Sequence, residues 1–247
     1  SEEDELVKRL RELVKELIDA IREHLRRLEE LLRELLKALE DHLRKLAELV
    51  RRIIEELRRT NAVDDKLLET LDRIVKRVAE EHKRLNEELE RIARKVAEES
   101  RRLLEELERI VRKVETDIKD LKDKGGDKDA IARLVKELAD VARRVVTEHA
   151  RLVRELARAI KEVVKAHVEL VERLLEVIKE VIDRGDVPEE LKERIRRIVE
   201  TIRRSLERLK EEADRIVKEI EKSLRELEER LERIVDTIRK LLEDAKR

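Results

Sequence analysis

The sequence predicts an all-α chain, folded as an antiparallel, up-down-up-down four-helix bundle of long, nearly straight helices. Three observations carry that prediction. The first is composition: 51% of the 247 residues are charged, 40% are apolar, and Phe, Tyr, Trp, Met and Cys are all absent. Domains of this size normally use aromatic rings for core volume, whereas a chain written in Ala, Leu, Ile, Val, Glu, Lys and Arg matches long helices. The second is an internal repeat of 18 residues. Residues 73–90 (RIVKRVAEEHKRLNEELE) and 91–108 (RIARKVAEESRRLLEELE) agree at 12 of 18 positions. Eighteen residues make five turns at 3.6 residues per turn, so the same face returns without drift and no supercoil is required. The third is the scarcity of turn residues: Gly125, Gly126, Gly185 and Pro188 are the only glycines and proline.

The elements follow in order. Ser1, with Glu2, Glu3 and Asp4 behind it, has the pattern of an N-cap and an acidic first turn. Apolar or small residues then recur in steps of three and four from Leu10 to Leu57, which predicts a first helix over 2–59. In the turn TNAVDD (60–65), Asn61 suits a left-handed C′ position, Val63 a hydrophobic staple and Asp64 a cap. A second helix is expected over 65–122, and the glycine pair of LKDKGGDKDA (121–130) makes the next turn. The third helix is expected over 128–183, with 138–155 echoed by 156–173. In the last turn Gly185 suits C′, and Asp186 with Glu189 three residues on reads as a capping box. That places the fourth helix over 187–245. Helices of about 55 residues joined by short connections must run antiparallel, giving a single bundle over 1–247.

Polar residues interrupt the apolar stripes at regular places. Helix 1 carries His24 and His42, helix 2 His82 and Ser100, helix 3 His149 and His167, and helix 4 Ser205 and Ser223. Each pair is 18 residues apart. Residues at one height in an antiparallel hairpin have a constant sum of indices. These eight meet that condition for every pair of neighbouring helices. They therefore define one layer of His24, Ser100, His149 and Ser223 and another of His42, His82, His167 and Ser205. The two layers are separated by about 27 Å at 1.5 Å per residue. Asn86 lies one turn from His82, level with the small Ala38. A neutral imidazole has one donor and one acceptor and a hydroxyl can be both, so a closed ring alternating His and Ser would satisfy the first layer. Such layers specify register and topology, because slipped packings strand the polar groups against leucine.

On these residues, the 18-residue blocks, and the stretches EEHKRLNEELE, REHLRRLEELL, TEHARLVREL, NAVDD and RGDVPEEL, the chain resembles computationally designed parametric helical bundles with modular buried hydrogen-bond-network layers. The resemblance covers the whole chain. It implies a structural scaffold with no natural biochemical function, similar to two designed helical hairpins (1–124 and 127–247) joined through Gly125 and Gly126.

Other functions are weaker on the residues. His42, His82 and His167 would supply the three imidazoles of a zinc site, but no core carboxylate stands behind them. Haem between His24 and His149 would be crowded by Leu28, Val145, Val146 and Leu227. A switch or cage, or a hairpin-pairing module, would displace one helix at a weakened polar layer, yet helix 4 embeds no recognisable peptide. Enzyme chemistry lacks a Cys nucleophile, a phosphate loop and an oxyanion hole. Lys and Arg (63) balance Asp and Glu (64), so no charge excess points to nucleic acid or a membrane surface. No apolar run approaches a membrane span and the start is no signal peptide. The expectation is a soluble chain, cytoplasmic when expressed recombinantly, without cofactor or small-molecule substrate, and monomeric unless hairpins swap.

Overall fold

The structure, a computed structural model, describes residues 2–246, with side chains through 244. The expected N-cap Ser1 lies outside the described residues. Four helices account for nearly all of the chain: α1 (Glu2–Thr60), α2 (Asp65–Asp123), α3 (Lys128–Arg184) and α4 (Glu189–Lys246). There is no strand among the described residues. Four helices packed side by side make a four-helix bundle.

The chain groups into two compact units, each holding a segment of every helix. Unit 1 is Ser1–Glu30, Ala93–Ala157 and Glu219–Arg247; unit 2 is Leu31–Ile92 and Arg158–Lys218. Each buries the apolar stripe that the 3.6-residue period puts on one face. In unit 1 Leu10, Leu17, Ile21, Leu107 and Ile118 are almost wholly buried, as are Leu31, Leu35, Leu39, Ile53 and Leu57 in unit 2. Each such leucine or isoleucine stabilises its unit by about 2 kcal/mol relative to exposure.

Ion pairs at the rims show the helix directions. Within unit 1, Arg11–Glu115 and Arg22–Glu108 join α1 to α2, and Arg143–Glu232 and Arg154–Glu228 join α3 to α4. Within unit 2, Glu34 and Glu56 of α1 meet Arg215 and Arg194 of α4. In every set one index rises as the other falls, so these neighbours are antiparallel. In every pair the arginine is solvent-exposed, though Glu115, Glu108 and Glu56 are half-buried, and the contribution of such rim pairs to stability is small.

Two turns use the chemistry the sequence suggests. Asn61 has a left-handed φ of 53° and Asp64 Oδ1 accepts from the Lys66 amide at 3.4 Å. Gly125 and Gly126 have φ of 112° and 70°, and the Gly126 amide closes α2 by donating to the Leu121 carbonyl at 2.8 Å. Asp127, which the sequence did not single out, caps α3 by accepting from the amides of Asp129 and Ala130.

The α3–α4 turn differs from expectation. Gly185 is not in the left-handed region; its amide still donates to the Val181 carbonyl at 3.2 Å, continuing the helical pattern. A side chain there would be tightly packed. A Cβ would lie 3.2 Å from the Val181 carbonyl and 3.3 Å from that of Ala62 in the adjacent turn. Nor does Asp186 cap α4, whose first intrahelical bond runs from the Lys192 amide to the Pro188 carbonyl at 3.0 Å. The chain first turns Val187 into the core, where it is 6% exposed, and the helix begins only after the proline. Among the described residues no helix is long and apolar enough to cross a membrane.

Candidate functional site: two buried histidine layers

The first layer lies in unit 1. His24, Ser100 and His149 are buried, at 5%, 1% and 0% exposure, and Ser223 is half-buried. Helical spacing places each on the inward stripe among leucine and valine, where an unpaired polar group is costly. The contacts form one chain. Ser100 Oγ lies 2.8 Å from His149 Nδ1, and His149 Nε2 lies 2.8 Å from His24 Nδ1. His24 Nε2 lies 3.0 Å from Ser223 Oγ, which donates to the Ile220 carbonyl at 3.0 Å.

That last bond fixes every proton. Because Ser223 donates to Ile220, it accepts from His24 Nε2–H. His24 Nδ1 is then an acceptor and takes the proton of His149 Nε2–H. His149 Nδ1 in turn accepts from the Ser100 hydroxyl. Reversing the direction would leave the buried Ser100 hydroxyl without an acceptor, so one arrangement satisfies all. The ring expected from sequence is not closed. The two imidazoles meet directly, ring centres 5.1 Å apart and nearly perpendicular, because they are long enough to reach one another and serine is too short to reach two neighbours. Sequence reasoning missed the Ile220 carbonyl. The available signal was the habit of helical serine of bonding back to a carbonyl in the preceding turn.

The second layer lies in unit 2 and is built differently. His42 Nδ1 is 2.9 Å from Ser205 Oγ. His82 Nδ1 is 3.2 Å from His167 Nδ1, and His82 Nε2 is 3.1 Å from Asn86 Nδ2. His167 stacks edge-on against both His42 and His82, with ring centres 5.2 and 4.8 Å apart. The layer is thus two separate hydrogen-bonded groups in ring contact. His42 Nε2, His167 Nε2 and Asn86 Oδ1 are buried with no hydrogen-bond partner among the described residues.

No protein-family model matches this chain, and no curated protein matches it. Among solved structures, one similar chain is described as a "Computationally designed three helix bundle"; it is 16% identical over 96% of each chain, with a TM-score of 0.28.

Electrostatically both layers favour neutral rings. Burial pushes the pKa of His24 and His42 from 6.5 down to about 4, and that of His149 and His167 down to about 3. Neighbouring imidazoles add to the effect for His42, His149 and His167. His82 is also lowered by burial, with Glu40 opposing the shift.

His42, His82 and His167 are brought together, yet no group of three or more His, Cys, Asp or Glu among the described residues is placed to hold a metal ion. Both nitrogens of His82 are taken by His167 and Asn86. His24 and His149 likewise face each other at hydrogen-bond distance, not across the width of a porphyrin. A groove of about 710 Å³ passes beside His24, Ser223 and Ala20 between α1 and α4 of unit 1. Its rim alternates acids with Arg26, Arg27, Arg230 and Arg233, so no single charge sign dominates it.

Proposed function

We propose that this chain is a de novo designed structural scaffold, in which the two buried polar layers specify register and topology. Among the described residues the fully buried polar side chains all belong to the two layers, which recur in a reduced alphabet repeated in blocks. The observation that carries the reading is the first layer. Four side chains from four helices form a hydrogen-bond chain with one proton arrangement, so any slip along a helix breaks several bonds at once. A polar layer of this kind adds little net stability over well-packed hydrophobes, but it penalises alternatives. The reading assigns no catalysis: the serines pair with histidines that no carboxylate orients.

The test is to make unit 1's layer apolar with His24→Leu, His149→Leu, Ser100→Ala and Ser223→Ala. The guanidinium midpoint should hold or rise. The protein should then separate into several species by light scattering, with a broadened amide spectrum. A variant that stays monodisperse with one sharp spectrum would refute the specifying role.

A further inference from the structure

One of the five buried histidines, His82, stands beside a side chain that can change from donor to acceptor by turning over. We propose that the second layer is a site for one proton, held on His82, with the Asn86 side-chain amide turning to receive it.

Protonating a neutral imidazole turns its acceptor nitrogen into a donor, so whatever faces that nitrogen must then accept. His24 Nδ1 faces the His149 Nε2–H at 2.8 Å, and a proton there would set two donors against each other. His149 Nδ1 faces the Ser100 hydroxyl, which is buried and has no other acceptor among the described residues. In the second layer Asn86 Nδ2 donates to His82 Nε2, so His82 carries its proton on Nδ1 and gives it to His167 Nδ1. His167 Nδ1 is thereby closed to a proton of its own. A charged His42 would donate from both nitrogens, and its buried Nε2 faces no acceptor among the described residues. His82 differs at Nε2. A half turn of the Asn86 amide brings Oδ1 to where Nδ2 stands, 3.1 Å from that nitrogen. The charged ring then donates from both edges, to Asn86 Oδ1 and to His167 Nδ1. One amide atom lacks a protein partner before the turn and one after it, so the exchange adds no loss of that kind. A bond from a charged donor is about twice as strong as a neutral one, so the exchange favours the proton.

The surrounding charges point the same way. Burial opposes a charge on His82, but Glu40 of α1 favours it, and no other buried histidine has a carboxylate acting on it. Lys45, also on α1, acts on His42 and not on His82. From α3 comes His167, a neutral ring that accepts the His82 proton. The α4 member of the layer is Ser205, which carries no charge and is bonded to His42. On α2 itself Glu81 is paired with Arg84. Once His82 is charged it opposes a proton on His42 and on His167, so the layer stops at one. The first layer has no counterpart, because Leu104 stands where the other repeat has Asn86.

Nitrogen-15 spectra of the imidazoles, recorded on the full chain as pH is lowered from 7.5, read the protonation of each ring. His82 should charge before the other four while helicity by circular dichroism holds its neutral value. The Asn86 side-chain amide signals should move with the same midpoint. Asn86→Leu copies the residue at 104 and removes the acceptor. It should lower the proton affinity of His82 by about fivefold to tenfold, the margin of a charged over a neutral hydrogen bond, and leave His24 and His149 where they were. Glu40→Gln, at an exposed position, should lower that affinity by about twofold, and by less at high salt. Another ring charging first overturns the proposal, as does an Asn86 amide that stays still while His82 charges. An unchanged His82 in folded Asn86→Leu also overturns it. If that variant does not fold, the wild-type amide signals decide.

Discussion

The two layers use nearly the same residues at matching positions and reach opposite states. In unit 1, two histidines and two serines leave no ring nitrogen unpaired. In unit 2, three histidines, one serine and one asparagine leave two ring nitrogens and an amide oxygen without partners. The difference comes from replacing a hydroxyl by an imidazole. Serine can donate and accept through one atom, while a neutral imidazole separates those functions onto opposite edges of a rigid ring. An added ring therefore needs partners on two sides. Asn86 meets one of them, at His82 Nε2. The exchanges of His82 for Ser100 and of Asn86 for Leu104 between repeats are one coupled change. A polar layer is satisfied by the match of donor and acceptor directions; a count of polar residues does not settle it.

Cutting each layer at its α3 histidine should sharpen this contrast most. His149→Leu leaves the Ser100 hydroxyl and His24 Nδ1 without partners, both buried, and should cost about 3 to 5 kcal/mol. His167→Leu strands only His82 Nδ1 and removes an atom already unpartnered, so its cost should be about 1 to 2 kcal/mol. Denaturant unfolding of the two variants measures both. Equal losses would mean that the layers are energetically alike.

Acid should act on both layers, in proportion to their imidazoles. Above the ordinary pKa of 6.5 the rings are neutral folded or unfolded, and pH has no leverage through them. As pH falls below 6.5 the unfolded chain takes up protons that the buried rings refuse, so stability drops until the folded rings titrate. That limit lies at about 4 for His24 and His42 and about 3 for His149 and His167. Each ring should remove about 1.4 kcal/mol per pH unit within that window. The variant with an apolar first layer keeps three of the five histidines and should retain about three-fifths of the slope. Midpoints that do not move between pH 7.5 and 4.5 would show that the rings are not buried neutral groups.

The smallest effect should come from the charged rim. Arg11 grips Glu115 with two bonds of 2.9 and 3.0 Å, but its guanidinium stays solvated. Arg11→Gln should shift the unfolding midpoint barely measurably, and less at high salt. A large shift would mean that surface charge, and not the layers, fixes how α1 and α2 meet.

The sequence by itself determined the four helices, their ends to within one or two residues, and which side chains face inward, because the 3.6-residue period and the turn residues are local and nothing in the chain opposes them. It also aligned the polar residues into two levels, since antiparallel hairpins of known length leave little freedom in register. The tertiary structure decided the rest. Gly185 serves the close approach of the Ala62 carbonyl, a contact between turns far apart in sequence. The direct contact of His24 with His149, the Ile220 carbonyl at the end of their chain, and the unpaired edges of His42 and His167 depend on ring orientation and on distances between helices. Hydrogen bonding is directional, and periodicity specifies the face a residue occupies without specifying where its donors and acceptors point.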